Sequence, residues 1–141
     1  MKQLRLENQL CFKLYSLSRQ MTHLYRPLLE ELDITYPQYL VMLVLWEKAP
    51  VSVKELGERL YLDSGTLTPL LKRMEQKLLI TRSRDREDER SVLIQLTVKG
   101  KRMQQKASCI PEELGKSLGI DQVTYEGLKR QLDSLMASII D

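Results

Sequence analysis

The chain has 141 residues, of which 43% are hydrophobic and 29% charged, and its net charge is +3. These values describe one globular domain with its own core. They leave no room for a membrane span, because the longest apolar run, YLVMLVLW at 39–46, is well short of the roughly 18–20 residues a spanning helix needs. The charged start, MKQLRLENQL, is unlike a secretory signal, so a cytoplasmic location is expected. There the two cysteines, Cys11 and Cys109, are expected as thiols and not as a disulfide.

In chain order, Leu10, Leu14, Leu17, Met21, Leu24, Leu28 and Leu32 recur at steps of three and four. That stripe predicts a helix over 6–32. Pro27 falls inside it and predicts a kink or a break. DITYPQY then reads as a turn into a second helix over 37–48, with Thr35 as N-cap and Pro37 in the first turn. This helix is apolar almost all round, which places it at the centre of the core.

After Ala49-Pro50 the pattern changes. A short strand, a helix over 53–60, a turn and a helix over 64–78 are expected, the last capped by Ser64 or Asp63. Gly57 inside the first of these helices costs about 1 kcal/mol relative to Ala, which fits a site where two helices cross closely. LITRSR at 79–84 and SVLIQLTV at 91–98 read as two strands joined by the charged loop REDER. A further helix runs to about Cys109, where Pro111 interrupts it, and a last one spans 121–140.

Helix, short turn, helix and hairpin make a winged helix-turn-helix. The expected class is mainly α with a small β-hairpin wing. The first and last helices are too long and too apolar on one side for so small a centre to cover. A symmetric dimer joined through them supplies the missing surface.

A winged helix-turn-helix implies double-stranded DNA as partner. The second helix of the pair enters the major groove with its N-terminal residues leading. Here those are Asp63, Ser64, Thr66 and Thr68, with Lys72 and Arg73 suited to phosphates or a guanine edge. Ser64 and Thr66 serve equally as helix caps, and a cap also presents a helix N-terminus to phosphate. In the wing, Arg84, Arg86 and Arg90 are the candidate contacts. Arg90 suits the negative potential of a narrow minor groove, and Asp88 is placed to hold its guanidinium.

The run DERSVLIQLTVKG resembles the wing signature of the MarR family. LENQLCFKLY, ITYPQYLVMLVLWE and LYLDSGTLTPLLKRME resemble the organic hydroperoxide-sensing repressors within it. The likeness covers at least residues 5–113. It implies a single MarR-type domain over 1–141, with the DNA-binding part at 51–98 and dimerisation helices at 1–48 and 99–141. It also implies a homodimeric repressor on a pseudo-palindromic operator, released when a cysteine in the first helix is oxidised by an organic hydroperoxide. That cysteine is Cys11, and its tyrosine partners fall on Tyr25 and Tyr36. Members with a resolving cysteine carry it a few residues beyond the proline of the following helix. Cys109 precedes Pro111, so it is read as structural and the chain as the one-cysteine type, with a small thiol as mixed-disulfide partner.

Spacing adds an independent constraint. Cys11 and Tyr25 share a helix face to within about 40° but lie roughly 21 Å apart along one helix. They can meet only if the first helix of one subunit runs antiparallel past that of the other. Tyr15, one turn from Cys11, can join the same cluster. Hydroxyl donors at a thiol favour the thiolate, which is the form that attacks an O–O bond. The apolar neighbours Phe12 and Leu14 favour an organic hydroperoxide over hydrogen peroxide.

Two alternatives stay open. One is a MarR-type repressor released by a small phenolic ligand between its helices. The other is a thiol peroxidase using Cys11. Enzymatic readings are otherwise poorly served: the single histidine, His23, offers neither a metal cluster nor a nucleophile–base pair, and no glycine-rich phosphate loop is present. Neither metal nor cofactor is expected.

Overall fold

A computed structural model describes residues 1–140, and the chain divides into two compact units, Met1–Ser108 and Cys109–Asp141. In the first unit, two single turns of 3-10 helix, Lys2–Leu4 and Leu6–Asn8, lead into α1 (Leu10–Glu30). Of the kink or break expected at Pro27, the break does not occur, and α1 continues through it. The ring forfeits one backbone hydrogen bond near the end of the helix. Burial of Leu29, only 2% exposed, holds the same turn in place. The apolar stripe of α1 is largely uncovered: Leu10, Leu17 and Leu24 are exposed, and Leu14, Met21 and Leu28 are half-buried.

Thr35 caps α2 (Tyr36–Glu47) through a reciprocal box with Gln38. The Gln38 N–H donates to Thr35 Oγ1 at 3.4 Å, and the Thr35 N–H donates to Gln38 Oε1 at 3.0 Å. Tyr39, Val41, Met42, Val44 and Leu45 are buried, which makes α2 the core helix, as its composition predicts.

Next come β1 (Val51–Ser52), α3 (Val53–Leu60) and α4 (Ser64–Gln76). Asp63, not Ser64, is the N-cap of α4. A Cβ on Gly57 would stand 2.7 Å from the Leu62 carbonyl oxygen and 3.2 Å from Leu67 Cδ1, so the expected close approach of the two helices is present. β2 (Ile80–Arg84) and β3 (Val92–Leu96) form the wing. The sheet order is β1-β3-β2, antiparallel throughout, with Val51 opposite Ile94 and Arg84 opposite Val92.

α5 (Val98–Ala107) starts at a Thr97 cap. The Trp46 indole donates to the Gly100 carbonyl at 2.9 Å and ties α2 to the first turn of α5. Gly100 has no room for a side chain, because a Cβ there would collide with the Leu79 carbonyl oxygen. The winged helix-turn-helix is therefore formed by the segments expected to form it.

The second unit holds α6 (Ile110–Leu118) and α7 (Gln122–Ile139). α6 departs from the expectation that Pro111 only interrupts a helix. Proline lacks just the N–H that the first turn of a helix leaves unbonded, so it ends one helix and begins the next. Gly119, with φ +63°, closes α6, and Asp121 caps α7 by accepting the Thr124 N–H. Val123, Leu128, Leu132, Met136 and Ile139 leave an apolar stripe exposed along α7. Among the described residues no helix is long and apolar enough to cross a membrane.

Candidate functional site: a thiol, a tyrosine cluster and a winged helix-turn-helix

Cys11 is the second residue of α1, and its thiol is exposed. The preceding turns fold back onto the helix start: Lys13 Nζ donates to the Glu7 carbonyl at 2.7 Å, and Gln9 Nε2 donates to the Gln3 carbonyl at 2.6 Å. Tyr15, one turn on, is exposed and engaged by Arg19, whose Cζ stands 5.5 Å from the ring centroid. Cys109 is likewise an exposed thiol.

Tyr25 and Tyr36 are brought together across the α1–α2 corner, with ring centroids 4.7 Å apart. Tyr39 joins them, 5.7 Å from Tyr25 and 6.4 Å from Tyr36, and Trp46 meets Tyr39 edge-on at 6.4 Å. Tyr39 was missed in the sequence. Its signal was available, because it lies three residues after Tyr36 on the same helix face. Burial pushes the Tyr36 hydroxyl above the ordinary phenol range. Burial and the neighbouring Tyr36 do the same to Tyr39. Both therefore remain protonated hydrogen-bond donors across the physiological pH range. Because α1 is unbroken between Cys11 and Tyr25, the roughly 21 Å axial separation stands. Within one chain the thiol and the tyrosine cluster lie apart.

A pocket of about 330 Å³ opens beside this corner. Leu29, Ile34, Tyr36 and Pro37 form its apolar wall, with Arg26 and Glu30 at its polar side.

In α4, Leu67, Leu70, Leu71 and Met74 face the core, while Ser64, Thr66, Lys72 and Arg73 are exposed. Two candidate contacts are already engaged. Asp63 Oδ1 accepts the Thr66 N–H at 2.7 Å, and that bond lowers the carboxyl below its ordinary range. Thr68 Oγ1 donates back to the Ser64 carbonyl at 2.8 Å. Asp63 and Thr68 nevertheless remain exposed beside Ser64 and Thr66, so all four stand on the open surface of the first turns.

The wing tip is held by aspartates. Asp85 Oδ1 accepts the Glu87 N–H, and Asp88 Oδ1 accepts the Arg90 N–H, each at 3.0 Å. Asp88 therefore orients Arg90 through its backbone and not through the expected guanidinium contact. Arg84 Nη1 donates to the Glu89 carbonyl at 2.8 Å, which closes the loop. Arg86 and Arg90 extend into solvent. The wing is anchored to α4 by Arg82, whose Nη2 and Nε donate to Glu75 Oε1 at 3.0 and 3.3 Å while its N–H donates to Glu75 Oε2 at 3.2 Å.

Comparisons with known proteins agree with this geometry. The family model described as transcriptional regulator SarA/Rot matches residues 23–107. The organic hydroperoxide resistance transcriptional regulator of Bacillus subtilis (strain 168) is 56% identical over 138 residues, covering 98% of this chain and 91% of the relative. AbfR of Staphylococcus epidermidis has been solved in several states. Its overoxidized form bound to DNA is 41% identical at a TM-score of 0.73, covering 96% of this chain and 99% of that one. Its disulfide-formed structure is 42% identical at a TM-score of 0.66, covering 96% and 95%. With its winged fold and these relatives, the chain belongs to the SarA/Rot-type transcriptional regulators, in the same family as the organic hydroperoxide resistance regulator and with MarR proteins among its structural neighbours.

Proposed function

We propose that this protein is a cytoplasmic, homodimeric transcriptional repressor that senses organic hydroperoxides at Cys11 and then releases its operator. The observation that carries the reading is the separation of two halves of one site. An exposed thiol stands at the start of α1, and a cluster of tyrosines stands at the far end of the same helix, where it meets α2. Antiparallel pairing of α1 with that of a second copy joins the halves twice. It also gives the uncovered apolar stripe of α1 a partner surface.

In the reduced dimer the hydroxyls of Tyr25 and Tyr36 face the partner's thiol, and α4 with its wing engages DNA through Ser64, Thr66, Lys72, Arg73, Arg86 and Arg90. The Cys11 thiolate attacks the terminal oxygen of the hydroperoxide. An S–O bond forms as the O–O bond breaks, and the alkoxide leaves as the alcohol after protonation. The sulfur is oxidised to a sulfenic acid and the peroxide is reduced. A small thiol then condenses with the sulfenic acid, releasing water and leaving a mixed disulfide. The protein is a regulator and not an enzyme, because this chemistry runs once per signal. The new sulfur substituent disturbs the tyrosine cluster and shifts the population between two dimer geometries.

The test is a mobility shift on operator DNA with and without cumene hydroperoxide. Wild type is expected to release, and Cys11→Ser is expected to bind and stay bound. Release of the variant by peroxide refutes the reading. The pocket beside Tyr36, about 330 Å³, favours a second reading in which a small phenolic ligand causes release. Release by such a ligand in the absence of oxidant would establish it.

A further inference from the structure

The α1–α2 corner and the end of the recognition helix are joined by one side chain. Lys77 is the C-cap of α4, and 44 residues separate it from Asp33 in the sequence. Its ammonium donates to the Asp33 backbone carbonyl and also pairs with Asp33 Oδ1 at 3.4 Å. Asp33 has φ 53°, a left-handed conformation that turns the chain out of α1, and it lies three residues before Tyr36. Lys77 is itself held. Its carbonyl accepts from Lys99 Nζ at 2.9 Å. The next two carbonyls, of Leu78 and Leu79, accept from Thr97 Oγ1 at 2.6 and 3.1 Å. Leu78 is also left-handed, with φ 60°, so the chain reverses sharply where α4 passes into the wing.

The junction at 77–79 therefore gathers three parts of the fold: the corner that carries Tyr36, the C-terminus of the recognition helix, and the base of the wing with the first turn of α5. The Lys77 side chain is 32% exposed and that of Asp33 90%, so the carboxylate stands in water and the bond to the Asp33 carbonyl is the firmer of the two contacts. Among the described residues, no other side chain of 31–35 bonds to α4; the Thr35–Gln38 box stays at the start of α2.

We infer that Lys77 is a positioning residue for the switch. Through Asp33 it transmits displacement of the tyrosine corner to the C-terminus of α4 and the wing base, and so sets the angle at which recognition helix and wing meet DNA. This rests on the reading of Cys11 as the sensor. The corner–junction pair stays engaged in both dimer geometries, so that the angle changes only when the tyrosine corner is displaced.

The experiment compares operator Kd before and after a stoichiometric dose of cumene hydroperoxide, with Cys11 sulfenic acid followed by dimedone trapping in the same samples. In wild type the two Kd values are expected to differ by about 5- to 150-fold, the usual range of allosteric coupling. Lys77→Met keeps the aliphatic stem and removes the ammonium. It is expected to bind operator when reduced within about twofold of wild type, to form sulfenic acid at the wild-type rate, and to lower the Kd ratio by roughly threefold or more. Asp33→Asn, which tolerates the left-handed backbone and keeps the carbonyl acceptor, is expected to fall between the two. Lys77→Arg is expected to restore the ratio. A ratio in Lys77→Met equal to that of wild type overturns the inference, and so does loss of reduced operator binding, which would make Lys77 a part of the binding surface. If wild type itself forms sulfenic acid without release, or is released without it, the sensor reading fails and takes this inference with it. A released wild type beside an unchanged Lys77→Met removes the inference alone.

Discussion

Tyr25 and Tyr36 sit on different helices, yet their ring centroids are 4.7 Å apart, closer than either is to Tyr39. The contact closes the α1–α2 corner and buries the Tyr36 hydroxyl enough to raise it above the ordinary phenol range. In the proposed dimer this donor would face the thiol of the second copy.

The same shift makes stability depend on pH at the alkaline end. In the unfolded chain tyrosine titrates near 10. In the folded chain Tyr36 and Tyr39 keep their protons to higher pH. Their contribution is fully present below about pH 10 and is lost as pH rises through the folded values. The urea midpoint is therefore expected to fall as pH rises above about 10, and Tyr36→Phe, which keeps the ring, is expected to flatten that fall. An equal decline in the variant would show that other groups set the alkaline limit.

At the acid end the Asp63 cap gives a matching prediction. Its carboxyl is held low by the Thr66 N–H, so its contribution is present above the ordinary aspartate range and is lost as pH falls through the folded value. Asp63→Ala is expected to lower the thermal midpoint at pH 7 and weaken operator binding, because α4 frays where it meets DNA. Asp63→Asn is expected to preserve most of both. Melting curves at pH 7 and below 3 check this, with the Ala variant and wild type converging at the lower pH.

Gly57→Ala tests the close approach of α3 and α4. Its new methyl would stand 2.7 Å from a backbone carbonyl oxygen that belongs to the α3–α4 turn and has little freedom to retreat. A destabilisation of about 1–3 kcal/mol is expected, with operator affinity falling alongside as the two helices part. A variant as stable as wild type, measured by urea unfolding, would show that the turn gives way easily.

Contacts of α4 and of the wing should differ in their salt dependence and in the sequence they read. Lys72→Ala is expected to weaken binding evenly across operators and reduce the slope of log K against log salt by about one. Arg90→Ala is expected to cost most on operators with an A·T-rich segment under the wing tip. Titrations at several salt concentrations on operators differing only in that segment separate the two. Equal losses on both segments would remove Arg90 from the minor groove.

The local patterns of this chain were readable without a structure, because each has a short-range cause. The period of the leucines determines α1, the unbroken apolar run determines α2 as the core helix, and Thr35 with Pro37 determines where that helix begins. The winged helix-turn-helix follows from a helix pair joined by a short turn and followed by two alternating strands. Even the separation of Cys11 from Tyr25 is a matter of helical rise. What the residues alone did not decide depends on neighbours distant in sequence. Burial of Leu29 holds α1 together through Pro27. Pro111 begins a helix where it was expected only to end one. Asp88 spends its oxygen on a backbone N–H, and Asp63 and Thr68 are already occupied. The bond from Lys77 to Asp33 spans 44 residues and leaves no periodic trace. Apolar periodicity reports which face of an element is buried, whereas a polar contact depends on where two backbones happen to meet. Only the folded chain could therefore place the tyrosine corner and the end of the recognition helix on the same lysine.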